Sequence, residues 1–120
     1  MIDQYEVPAY LVGELPEISQ DLKKFSPTIN IFKCVQCLAN YTKRKLVEHD
    51  LVALKKCFAI ADEVYVQGNA LVKDAIENVF VYSFSSLMNL CSADDKKKLQ
   101  AIMPICLHTA YVQQILRSKI

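Results

Sequence analysis

The sequence predicts an all-α fold, and three observations carry that expectation. Apolar residues recur at three- and four-residue spacing over most of the chain, the period of a helix buried on one side. Only two glycines (Gly13, Gly68) and four prolines (Pro8, Pro16, Pro27, Pro104) interrupt 120 residues, too few for the many tight turns of a β-domain. Ser, Asp and Asn stand at breaks between apolar runs, where a side-chain oxygen satisfies the free N–H groups of a helix start. The expected architecture is about six helical pieces in antiparallel order, stacked as a HEAT-like α/α superhelix or an irregular bundle. One domain over residues 1–120 is expected.

Pro8 fits the first turn of a short helix through Ala9, Leu11, Val12 and Leu15. Pro16 breaks it before a further turn through Ile18 and Leu22, so the N-terminal segment reads as a lid-like pair of short pieces. Ser26-Pro27 reads as the N-cap and first residue of a long helix with Ile31, Val35, Leu38, Thr42 and Leu46 on one face. Its last turns carry Lys43, Arg44 and Lys45, where the helix dipole favours cations. After the break at His49, Asp50 caps a helix facing inward with Leu51, Leu54, Phe58, Ala61 and Tyr65, and Gly68 is placed to end it in a left-handed conformation.

Asn69 opens the most apolar helix, from about Ala70 to Leu90, with Val72, Ala75, Ile76, Val79, Phe80, Ser83 and Leu87 along one side. Ser92, followed by Asp94 and Asp95, caps a short helix through Leu99, Ile102 and Met103. Pro104 restarts the chain into a last helix with Cys106, Ala110, Val112, Ile115 and Leu116 on its apolar side.

Apolar residues make up 52% of the chain and charged residues 22%, the balance of a folded protein rather than a disordered one. The net charge of +1 hides an alternation: residues 1–24 carry five acids and two bases, residues 33–56 six bases and two acids. Residues 62–77 then carry four acids and one base, and residues 94–119 five bases and two acids. Sequence neighbours therefore attract, and no large surface of one sign is expected. The acidic N-terminus and the absence of an apolar run near eighteen residues argue against a signal peptide and a membrane helix. Five cysteines, an odd number set within or beside apolar helical runs, fit reduced thiols in the cytoplasm.

Each residue pattern with chemical associations has a simpler explanation in packing or solvation. Cys34-x-x-Cys37 has redox or metal spacing, yet it lies inside a helix rather than at an N-terminus, and it continues to Tyr41 as a packing stripe. Cys106 and His108 are two residues apart on a helix and point in nearly opposite directions, so they do not form a nucleophile and base. His49 reads as a solvated neighbour of a cap. Asp62-Glu63 and Asp94-Asp95 are adjacent acids on different helix faces, unlike the facing carboxylates of di-metal bundles. The helix–Gly68–helix segment lacks the polar, basic recognition helix of a DNA-binding motif, and Lys43-Arg44-Lys45 and Lys96-Lys97-Lys98 lack interleaved aromatics. No phosphate loop or catalytic motif is present, so no metal, cofactor, small-molecule substrate, nucleic acid or membrane is expected.

Val81, Phe84 and Met88 fall opposite the main apolar face of the helix from Ala70 to Leu90. Coverage by the terminal helices is the favoured explanation, and a partner or homodimer interface is the alternative.

The stretch Thr42-Lys43, Lys55-Lys56-Cys57-Phe58-Ala59-Ile60-Ala61, Gly68-Asn69-Ala70-Leu71-Val72-Lys73 and Ala75 to Ser83 resembles a family of small all-helical bacterial proteins classed as a domain of unknown function. The resemblance implies stacked antiparallel helices and brings no catalytic residues. In size and style the chain is also similar to bacterial immunity proteins, an analogy without a motif. The expected function is a non-enzymatic protein–protein interaction domain, most concretely an immunity or antitoxin-like protein that binds and blocks a toxin. The alternative is a helical-repeat module that self-associates through Val81, Phe84 and Met88.

Overall fold

In the computed structural model, which describes residues 2–23, 30–88 and 91–118, helices follow one another with short connections. They are α1 (Val7–Glu14), α2 (Ser19–Lys23), α3 (Ile31–Val47), α4 (Leu51–Gln67), α5 (Ala70–Ala75), α6 (Tyr82–Met88), α7 (Ala93–Ile102) and α8 (Ile105–Ser118). A 3₁₀ turn (Pro16–Ile18) joins α1 to α2, and a π-helical segment (Ile76–Val81) joins α5 to α6 without a break. The fold is all-α, and no strand occurs among the described residues. The radius of gyration, 13.7 Å, is that of one packed body, since a domain of this length is expected near about 13.6 Å.

Side-chain caps set the starts of α3, α4, α5 and α7. Asp50 accepts from the Ala53 N–H, Asn69 from Val72 and Ser92 from Asp95, as expected of short oxygen-bearing side chains before an apolar run. At the start of α3 the cap is Asn30, extended at φ −81° and accepting from Lys33 at 2.9 Å. The long helix α3 therefore begins at Ile31, and the expected Ser26-Pro27 start lies outside the described residues.

Two turns differ from expectation in an instructive way. The left-handed residue is His49, at φ 57°, closing α3 with Asp50 N–H donating to Lys45 O and His49 N–H donating to Leu46 O. Gly68 is extended at φ −71°, ψ 153°, so it is not a left-handed cap. It is glycine's missing side chain that matters there: a Cβ would stand 2.5 Å from Val72 Cγ1 and 2.6 Å from Val64 O. Gly68 also forms a parallel bridge with Ile2, through Ile2 N–H to Gln67 O and Asn69 N–H to Ile2 O.

α3 lies at the centre, packed against the π segment, α4 and α5, with α1 and α2 also against it. Its buried face is Ile31, Cys34, Val35, Cys37, Leu38, Ala39, Tyr41 and Thr42. α4 contributes Leu54, Cys57, Phe58, Ile60, Ala61 and Val64. Leu51, assigned to that face by its spacing, is 44% exposed because the first turn of α4 extends past its packing partners, and Tyr65 is half-buried. In α1 the buried side is Val7 and Leu11, continued by Leu15 and Ile18, whereas Ala9 and Val12 face solvent. The N-terminal pieces are thus part of the core and not a lid. In α8 Leu107 and Ala110 are buried, while Val112 and Leu116 are exposed.

Candidate functional site

Val81, Phe84 and Met88 are 2%, 4% and 2% exposed. Phe84 is enclosed by two aromatic edges, its ring centroid 5.2 Å from Phe58 on α4 and 5.6 Å from Tyr111 on α8. The terminal helix thus covers this stripe, and the partner-interface alternative for these three residues is corrected: in the folded chain they form core, not surface. A rotation that leaves them opposite the main stripe buries them once α8 packs on that side.

The thiols are likewise interior. Cys34, Cys37 and Cys57 are buried, and burial pushes the Cys34 thiol up to about 12, with Cys37 beside it adding to the rise. Such a thiol carries almost no thiolate at neutral pH and is a poor nucleophile. Cys91 is half-buried; the side chain of Cys106 lies outside the described residues, and His108 sits half-buried beside Tyr111. Among the described residues no three His, Cys, Asp or Glu side chains are grouped so as to hold a metal ion. No helix among them is long and apolar enough to cross a membrane.

Exposed large apolar side chains are scattered over the surface, Tyr5, Tyr82 and Ile105 among them, and three of them lie at the α3–α4 turn. α3 closes and α4 opens within three residues, so Val47, Leu51 and Val52 stand close in the chain at the tip of an antiparallel hairpin. They are 70%, 44% and 84% exposed. Cations rim them one helical turn away on each arm: Lys43 and Arg44 precede Val47 on α3, and Lys55 and Lys56 follow Leu51 and Val52 on α4, all exposed. Between Lys43 and Lys56 five cations oppose two acids, Glu48 and Asp50.

Beside this tip a cleft of about 520 Å³ is lined by Glu17, Tyr41, Lys43, Arg44, Lys45, Val47 and Glu48. Its base is ordered by the buried Tyr41 ring. The Tyr41 hydroxyl donates to Glu17 Oε2 at 2.9 Å, and Lys45 Nζ and Arg44 Cζ lie 5.3 and 5.5 Å from the ring centroid. Burial first, and then the bond to Glu17, push the Tyr41 phenol up to about 12, so it stays a donor at any physiological pH. Arg44 reaches Asp21 at 2.9 Å and Lys45 reaches Glu48 at 3.4 Å, tying α2 and the end of α3 to the cleft walls. These surface pairs orient side chains more than they stabilise the fold. Among the lining residues the one hydroxyl, that of Tyr41, is engaged by the Glu17 carboxylate, and the charged side chains around it are placed to hold another molecule.

The tip was legible only as an irregularity. Val47 and Val52 fall off the stripes that define the buried faces of α3 and α4, and both sit one turn from lysines. Off-stripe apolar residues at a helix end, next to cations, are the signal that locates it.

Fold and surface together define a small all-α domain with an ordered, cation-rimmed apolar tip. The chain matches the family described as Domain of unknown function (DUF7674) over residues 8–117 and belongs to that family. No curated protein and no solved structure matches it.

Proposed function

We propose that this chain is a non-enzymatic protein–protein interaction domain, in its most concrete form an immunity or antitoxin-like protein that covers a toxin's functional surface. The single observation that carries this reading is the exposed apolar tip of Val47, Leu51 and Val52. Apolar side chains left in water on both sides of one turn, with cations a helical turn away, are of the kind found at contact surfaces. The cleft beside it adds hydrogen-bonding and charged groups of the kind found at the rim of an interface. Antiparallel helices packed on their sequence neighbours, in the manner of HEAT-like repeats, would present such a tip on a rigid support, and reduced cysteines fit a cytoplasmic setting.

Capture from extract of the native host tests this reading. Wild-type protein retains a partner that the double variant Val47→Ser/Val52→Ser, with an unchanged melting temperature, does not. A partner retained equally by both would refute the assignment to the tip.

A further inference from the structure

We infer that the occupant of the α3–α4 tip is an acidic, apolar-bearing protein segment; this deepens the interaction reading and rests on it. Three features select that chemistry. The apolar centre requires side chains to bury against Val47, Leu51 and Val52, which no free ion or polar metabolite supplies. The rim of Lys43, Arg44, Lys55 and Lys56 requires negative charge around those side chains, and its cations lie one helical turn from the apolar centre on both arms. The adjoining cleft offers Lys43 to a carboxylate placed beside Val47, its Arg44 and Lys45 being paired with Asp21 and Glu48.

Charge also disfavours the other occupants. A second copy docked tip to tip would bring two patches of net +3 together, counting Lys43 to Lys56. An anionic membrane suits the lysines, but Glu48 and Asp50 are exposed at the very turn and would enter the headgroup layer with the valines. A carboxylate-bearing helix can lay its apolar side chains on Val47, Leu51 and Val52 while its carboxylates meet Lys43, Lys55 and Lys56, with Glu48 and Asp50 left at the edge of the contact.

Fluorescence anisotropy with the full chain tests the inference. The probes are a labelled helical peptide with leucines at three- and four-residue spacing and glutamates elsewhere, and its counterpart with lysine for every glutamate. The acidic peptide binds the wild type and weakens severalfold between about 50 and 200 mM salt. Its affinity falls about tenfold or more in Lys43→Glu/Lys55→Glu/Lys56→Glu and in Val47→Ser/Val52→Ser, whose exposed positions leave the helical circular dichroism unchanged. Equal binding of the lysine peptide, or an affinity unmoved by the charge reversals, overturns the inference. So does retention by phosphatidylserine vesicles without peptide binding, or a doubled mass in sedimentation that the valine variant abolishes. If no peptide binds while the valine variant still loses a host partner, the acidic occupant falls and the interaction reading stands. If neither occurs, both fall.

Discussion

At the scale of single residues, Gly68 and Asp62 carry consequences that no pattern announces. Gly68 has an ordinary backbone conformation, so alanine there meets no torsional penalty; the obstacle is Val64 O and the Val72 side chain at under 3 Å from the new Cβ. One of these atoms is backbone and cannot step aside. Gly68→Ala is therefore expected to destabilise the fold by about 1–3 kcal/mol, the range for overpacking, as read by chemical denaturation.

Asp62 on α4 has its Oδ1 buried without a hydrogen-bond partner among the described residues, although the Leu107 N–H in the first turn of α8 serves the carboxylate. Burial, with Glu63 adding to it, holds this carboxyl above the usual aspartate range. A carboxyl raised by folding favours the native state most below its unfolded pKa, and the benefit is lost as pH rises through the folded value. The stability difference between Asp62→Asn and the wild type should accordingly shift toward the variant as pH rises from the acid side to neutrality. Urea melts across that range check it, and a difference independent of pH would show that the carboxylate is well solvated.

At the scale of elements, the run from Ala70 to Met88 holds the most consequential departure from simple periodicity. Its centre is π-helical, and the wider turn leaves the Glu77 carbonyl to accept from Gln114 Nε2 on α8, while the Glu77 carboxylate accepts from the Tyr65 hydroxyl at 2.6 Å. The segment thereby bonds α4 on one side and α8 on the other. Below it Phe84 completes an edge-to-face chain with Phe58 and Tyr111, and Phe80 meets Phe58 at 6.2 Å. Phe84→Glu places an unpaired carboxylate in that chain and should cost several kcal/mol, on the order of the 2–7 assigned to buried polar groups without partners. The expected result is a lowered melting temperature or an unfolded monomer by circular dichroism. A well-folded variant would mean that the aromatic chain opens easily.

For the whole molecule, the N-terminal segment ties distant parts of the chain together. Ile2 exchanges two backbone hydrogen bonds with the α4–α5 turn, and Asn69 Nδ2 donates to Gln4 Oε1 at 2.9 Å. Asn69 thus caps α5 while anchoring residues more than sixty positions away. Removal of residues 1–5 should cost about 4 kcal/mol, since each of the three bonds contributes about 1 kcal/mol net and the partly buried Ile2 adds a similar amount. Thermal unfolding of the truncated chain measures this, and an unchanged midpoint would show that the bridge forms without stabilising the fold.

The sequence by itself determined the helical class, the caps at Asp50, Asn69 and Ser92, and most of the inward faces of α3 and α4. All of these follow from interactions within a few residues, namely periodicity, side-chain oxygens beside free N–H groups, and proline's missing donor. It also marked the family resemblance that residues 8–117 bear out. Only the tertiary structure decided which apolar residues off the main stripes would be covered. Val81, Phe84 and Met88 became core because α8 returns across them, whereas Val47, Leu51 and Val52 stayed in water because nothing among the described residues packs beyond the α3–α4 turn. The left-handed conformation fell to His49 rather than Gly68 for the same reason: the path of the next helix, not the identity of the residue, sets the backbone angle a turn requires, and Gly68 is needed where Val64 O and the Val72 side chain leave no room for a Cβ.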